Sequence, residues 1–235
     1  MELDFTPETF WLLPALGDFG KINIYTIIFT WVVIGVLTLL SLTVYTRIKQ
    51  VPTRLQLLLE MVVEMFDNLT RSTLGERGRA YLPYIGSLFL FIWFSNMMGV
   101  IPGFEEPTRD VNTTLALALF IVIPVAHLSG IKAKGWGFLK EYFEPGFVIH
   151  GKWLPNIFMF PLNLVGEVGK AISLPFRLFG NIFGGAIIIV VISQLVQYAI
   201  LPPFLIFFFG IFVGTIQAFV FAMLALTYTA VAVAE

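Results

Sequence analysis

Five stretches of this chain run apolar for long enough to cross a bilayer, and that limits the fold more than any other feature. They are Ile24 to Tyr45, Leu82 to Ile101, Thr113 to Ile131, a nearly unbroken tract from Pro155 to about Ile200, and the run after Leu201-Pro202-Pro203 that ends at Glu235. About 20 apolar residues span the hydrocarbon core as a helix. A content of 58% hydrophobic and 12% charged residues excludes an ordinary soluble domain. We therefore expect an all-α membrane protein, a single integral domain over 1–235, with about five membrane-embedded helices.

One segment has a different pattern. Over 53–79, Glu60, Glu64, Asp67 and Arg71 recur along one helical face, with Leu57, Leu58, Met61, Val62, Met65 and Leu69 on the others. This predicts an amphipathic helix at the membrane surface. The loop from about Lys132 to Pro155, with His150 and Lys152, has no clear period and is expected mostly outside the hydrocarbon. The tract from Pro155 would measure roughly 65 Å as a straight helix, about twice the bilayer core. It must be tilted, kinked or partly outside the membrane, with Pro161 and Pro175 as possible kink points. The last two helices, over 155–234, then form a long tilted hairpin.

Basic residues set the orientation. Arg47, Lys49, Arg54, Arg71, Arg77, Arg79, Lys132, Lys134, Lys140 and Lys152 fall on one side, whereas Lys21 and Arg109 share the other with Glu2, Asp4, Glu8, Asp18, Glu105, Glu106 and Asp110. The basic side is expected to be cytoplasmic, with the N-terminus outside and the C-terminus inside. The acidic N-terminus does not read as a signal peptide. A net charge of -1 gives no reason to expect a nucleic-acid partner, and the absence of cysteine removes thiol chemistry and cysteine metal sites.

An ionisable side chain in hydrocarbon costs several kcal/mol and persists only if paired, hydrated or functional. Asn163, Glu167, Lys170, Arg177 and Asn181 lie at i, i+4, i+7, i+14 and i+18, one stripe of a helix. Glu167 and Lys170 can cancel each other at i, i+3, and Lys170 can also snorkel. Arg177 has no acidic neighbour at i±3 or i±4, and no acidic residue stands between Glu167 and Glu235. Its countercharge must come from elsewhere in the fold or from another subunit, which favours a functional charge over a structural one. Gly166, Gly169, Gly180, Gly184, Gly185 and Ala186 surround it. Such smallness serves either close helix packing or a helix sliding past. Thr215, Gln217, Thr227, Tyr228 and Thr229 of the last run are neutral groups able to face Arg177, with Gln217 the strongest because an amide both donates and accepts. His127 can titrate near neutrality, although such a histidine more often bonds at a helix interface.

SLPFRLFGN (173–181) followed by GTIQAFVFAMLALTYTAVA (214–232) resembles the paired signature of subunit a of the F-type ATP synthases. SNMMGVIP (95–102) and PTRDVNTTLALAL (107–119) are similar to two further family stretches, in order and with suitable spacing, so the likeness covers most of 81–234. The resemblance implies an ion-translocating membrane stator without catalytic residues or cofactor, in a bacterial plasma membrane. It implies a rotor ring of c subunits and peripheral-stalk b subunits as partners, and a proton as the carried ion, with sodium as the alternative. Arg177 would face the ring's carboxylates and separate two offset half-channels, while Asn181 and Gln217, with Glu167, Lys170 and Asn163 along the same seam, would serve the ion path. Many members carry a carboxylate nine residues after the arginine and a histidine or similar group seven before the glutamine. Here those positions are Ala186 and Gly210. Glu105, Asp110, Gln194, Gln197 and Tyr198 are the remaining candidates for the outer half-channel. The stretches GGAIIIVVIS and QAFVFAMLALTYTAVA are similar to those of sodium-translocating members. The competing class is a secondary transporter with an anionic substrate at Arg177. Transporters commonly show internal repeats, and none is visible here. A structural scaffold is a third possibility. An enzyme is the least favoured, since no nucleophile-base pair or metal cluster can be assembled in the membrane segments.

Overall fold

Apolar helices carry most of the chain. The computed structural model describes residues 10–12, 21–46, 48, 52–101, 103–145, 147–149, 152–154, 156–195 and 201–234. Five helices are long and apolar enough to cross a membrane: α1 (Ile24–Thr46), α3 (Leu82–Val100), α4 (Val111–Lys134), α5 (Met159–Leu195) and α6 (Leu201–Val233). Between the first two lies the amphipathic α2 (Arg54–Leu74). Thr53 caps its start, the hydroxyl accepting from the Gln56 amide at 3.4 Å. Gly75, at φ 64°, ends it in a conformation that glycine adopts freely. Two short antiparallel hairpins add to the all-helical expectation. They are β1 (Phe10–Leu12) with β2 (Lys21–Asn23), and β3 (Phe147–Ile149) with β4 (Lys152–Leu154). The second sits in the loop read as aperiodic, because three-residue strands are too short to leave a period. His150 lies outside the described residues.

The core is built around α6. Its buried Ala218, Ala222 and Ala225 are small enough to let neighbouring helices come close, while Phe221 and Leu226 fill the gaps. Ile85, Leu88, Phe89 and Ile92 of α3 pack there, with Leu117, Ala118 and Val122 of α4 and Leu174, Leu178 and Ile182 of α5. Phe66 anchors α2 to this core, its ring 4.8 Å from that of Phe89. Leu57, Leu58, Met61 and Met65 of α2 remain exposed, as a helix lying on a lipid surface requires. In α1 only Val33 is buried among the described residues, so this helix gives nearly its whole surface to lipid or partners.

Two helices widen locally to π geometry, α4 over Leu117–Val122 and α6 over Phe207–Val213. In α4 the cause is Pro124, which has no N–H to donate and whose ring crowds the carbonyl four residues back. In α6 the widened turn holds Gly210 against Val100, where an added Cβ would stand 2.5 Å from the valine side chain. Helix α5 has 37 residues, about 55 Å at 1.5 Å per residue, against a core of about 30 Å. It must tilt or project beyond the hydrocarbon. Pro161 falls in its first turn, where proline is tolerated, so only Pro175 interrupts its interior. Helix α6 runs back along α5, with Gln217 beside Asn181 and Phe209 beside Gly185.

Gly78, in the 3-10 turn Gly75–Ala80, presses against α2. A Cβ there would lie 2.2 Å from the Thr70 carbonyl oxygen, a backbone atom that cannot swing aside. Gly78→Ala should cost about 1–3 kcal/mol, the usual range for overpacking. Thermal unfolding in detergent should show a lower midpoint, whereas Gly86→Ala, with open space around the added carbon, should leave it in place.

Candidate functional site

The polar stripe predicted on one helix lies on α5, and the structure divides it into three parts. At the end of the bundle that carries Lys132 and Lys134, a cleft of about 440 Å³ opens between α4, α5, α6 and the 3-10 segment Gly135–Phe143. Asn163, Glu167 and Lys170 line it, with His127, Tyr142 and Tyr228. Glu167 sits between two cations or potential cations: one carboxylate oxygen is 2.5 Å from Lys170 Nζ, the other 3.8 Å from His127 Nε2. Lys170 also lies over the Tyr228 ring, 5.6 Å from its centre. Asn163 has a fastening role, its amide donating to the carbonyls of Tyr142 and Glu144 at 3.1 and 3.0 Å. Tyr142 escaped sequence reading, and Tyr228, read as a group able to face Arg177, lies under Lys170 instead. Nothing in the chain places a loop tyrosine at residue 142 beside a histidine 15 residues earlier.

Further along α5 stands Arg177, about 10 Å from Lys170 by helical rise. It is exposed, flanking the buried stripe of Leu174, Leu178 and Ile182. It has no carboxylate partner among the described residues, as its sequence neighbours foretold. Gly166, Gly169, Gly180 and Gly184 have open space where a side chain would stand, so they are not used for packing within this chain. Gly185 alone of the cluster packs closely, against Phe209.

One turn beyond, the Asn181 amide donates to Gln217 Oε1 at 2.7 Å. Gln217 is buried, and its Nε2 has no partner among the described residues. The other polar residues of the last run are engaged elsewhere. Thr215 accepts from the Trp93 indole at 2.9 Å, and Thr227 and Thr229 donate to the carbonyls of Met223 and Ala225.

Asn181 also borders a small cavity at the opposite end of the bundle, together with Asn96, Glu106, Ala186 and Gly210. Among the outer-side acids, it is Glu106 that reaches this cavity. Glu105 is exposed. Asp110 is a tie point: Oδ1 accepts from the Asn112 amide at 2.9 Å, capping α4, and Oδ2 accepts from Thr26 of α1 at 3.0 Å. Gln194 is exposed near the end of α5, and Gln197 and Tyr198 lie outside the described residues. Asn96 is buried at the base of the loop, donating to the Gly214 carbonyl at 2.8 Å and accepting from Thr108 at 2.6 Å. Burial raises the Glu106 carboxyl above the usual carboxylate range, and neighbouring Glu105 pushes the same way. Its own backbone N–H and Arg109 oppose the shift. No group of three or more metal-ligating side chains occurs among the described residues.

Five apolar helices of spanning length define a multi-pass membrane protein, with a lone arginine on the longest and a polar cleft towards either end. Residues 27–230 match the family model described as ATP synthase A chain. A chain named ATP synthase subunit a from Desulfosudis oleivorans is 37% identical over 93% of this chain and 93% of its own. Others of that name come from Trichlorobacter lovleyi, 37% identical over 86% of this chain and 84% of the relative, and Moorella thermoacetica, 36% over 90% and 92%. The chain belongs to the ATP synthase subunit a family.

The hydrogen bonds of His127 make its state checkable. Nδ1 lies 2.9 Å from the Ile123 carbonyl, which can only accept, so the neutral ring carries its proton there and Nε2 accepts from the Tyr142 hydroxyl at 3.0 Å. Nitrogen NMR of histidine-labelled protein should show the Nδ1–H tautomer for this residue, identified by the signal lost in His127→Gln. Tyr142→Phe should shift the Nε2 resonance.

Proposed function

We propose that this chain is the ion-translocating stator subunit of a rotary F-type ATP synthase in a bacterial membrane. It presents Arg177 to the carboxylates of a rotor ring of c subunits and is held by the peripheral-stalk b subunits. The observation that carries the reading is Arg177, without a carboxylate partner among the described residues, on an exposed, glycine-lined face of α5, between two polar clefts that approach it from opposite ends. The basic end faces the cytoplasm, the acidic end and the N-terminus lie outside, and the α5–α6 hairpin tilts along the ring.

The physics of the arrangement follows from charge in hydrocarbon. A ring carboxylate turns through lipid only when neutral, and it must release its ion when it meets the stator. A fixed guanidinium favours the ionised form at that point and does not give up its own proton to relay a leak. The inner half-channel is the larger cleft, where Glu167, Lys170, His127 and Asn163 hold water. Each charge that crosses releases about 2.3 kcal/mol per 100 mV, which offset routes turn into rotation in one direction. The ion is a proton; sodium is the alternative.

Arg177→Ala in the assembled complex, reconstituted in liposomes, should abolish ATP-driven ion uptake while detergent-uncoupled hydrolysis by the soluble head continues. Retained uptake would overturn the reading. Run without sodium, the wild-type assay should still acidify the lumen and collapse with a protonophore; sodium uptake that survives the protonophore would assign sodium instead. Orientation is tested separately, since the chain has no cysteine. Glu105→Cys should react with an impermeant maleimide from outside intact cells, and Lys132→Cys only in inverted membranes.

A further inference from the structure

From the sequence, Glu106 counts among the outer-side acids but not among the half-channel candidates, yet the fold turns it inward. Pro107 holds the preceding residue in extended backbone, at φ -73° and ψ 122°. From there the side chain runs back over Gly99, at the end of α3. A Cβ on residue 99 would stand 1.7 Å from Glu106 Oε1 and 2.2 Å from its carboxyl carbon. Only glycine at 99 leaves the carboxyl its berth.

The carboxyl group helps to line the small cavity shared with Asn96, Asn181, Ala186 and Gly210. The cavity measures about 20 Å³, above the roughly 10–15 Å³ that a single water needs. Its polar walls supply the partners such a water requires. Asn181 closes the far side one helical turn from Arg177 and is bonded to Gln217. The titratable groups near Glu106 are Arg109 and Glu105 of its own loop; α3, α5 and α6 bring only amides, backbone and apolar side chains to the cavity among the described residues.

We infer that Glu106 is the proton-exchanging carboxylate of the outer route, working through one water held between it and Asn181. This rests on the stator reading above. A proton from bulk water on the acidic side adds to the carboxylate; the acid then gives it to the cavity water, which passes its own proton on past Asn181 towards the ring carboxylate facing Arg177. No electron pair leaves oxygen, and the carboxylate is regenerated. Partial burial suits the task, because a group held towards its neutral form takes up a proton at a higher pH than an exposed glutamate does.

The test uses the complete complex in liposomes and measures ATP synthesis driven by an imposed ion gradient, with the pH varied on the outer-face side. Glu106→Gln should lower the rate about 10²-fold, the smaller loss expected for a positioned proton-transfer group, and flatten its dependence on outer pH. Glu106→Asp should keep a measurable part of the rate. Ala186→Glu added to Glu106→Gln puts a carboxylate back into the same cavity and should restore the pH dependence. Rates of Glu106→Gln within twofold of wild type, or a loss that neither Asp nor the Ala186→Glu pairing recovers, would overturn the proposal. Arg177→Ala in parallel separates the two claims. Synthesis lost there but intact in Glu106→Gln removes Glu106 alone; synthesis intact in Arg177→Ala removes the stator reading itself.

Discussion

A guanidinium partway along a helix of membrane-spanning length, with no carboxylate partner among the described residues, is the constraint around which this fold is arranged. Its solvation cost must be met by water, by a partner or by both. Helix α5 answers by separating its two sides. Leu174, Leu178 and Ile182 turn into the bundle and make the contacts that hold the helix. The side with Arg177 is stripped to Gly166, Gly169, Gly180 and Gly184, each with open space beyond it. Glycine in a helix interior is unfavourable by about 1 kcal/mol relative to alanine. Four of them facing nothing within the chain make sense if another surface passes close by. The packing inside the chain uses different residues for that purpose: the alanines of α6 bring α3 and α4 together.

The polar groups are then placed along α5 at different heights. The cleft beside Glu167 is wide and lies before Arg177; the cavity beside Asn181 is small and lies after it. Neither runs through the protein past the arginine as a continuous pore among the described residues. The ends differ in chemistry as well as in volume. At the wide end Glu167 is already compensated by Lys170, with His127 nearby. At the narrow end burial holds Glu106 towards its neutral form, with Glu105 pushing the same way and its own backbone N–H and Arg109 opposing.

Much of this was legible in the sequence because hydrocarbon imposes simple rules. The five spans follow from apolar length, and α2 follows from the recurrence of its acids and its leucines. The isolation of Arg177 could be read from the absence of acids after Glu167. The Asn181–Gln217 pair was reachable through the family resemblance, since each residue already stood on a matching position. What stayed hidden depends on backbone turns outside the periodic segments. Glu105, Glu106 and Asp110 look equivalent as outer-side acids. Pro107 and Gly99 distinguish them, by turning Glu106 inward and leaving room for it, while Thr26 and the Asn112 amide occupy Asp110. A glutamate immediately before proline and near a glycine-ended helix was the available signal. The β3–β4 hairpin was hidden because strands of three residues are too short to show hydrophobic alternation.

The amide pair between α5 and α6 shows why neutral groups serve close to the arginine. A carboxylate at residue 181 or 217 would pair with Arg177 across one helical turn or across the hairpin, and its neutralised charge would no longer act on anything outside the chain. An amide leaves the guanidinium free and still offers both a donor and an acceptor. Asn181 and Gln217 use one of each on one another, at 2.7 Å, which fixes both side chains and staples the hairpin at the height of the charge. That leaves the buried Gln217 Nε2 with its donors unspent. An unmet buried donor costs about 1–3 kcal/mol, and water is the partner that recovers it without introducing a charge. The position that looks incompletely satisfied thus sits beside Asn181, one helical turn from Arg177.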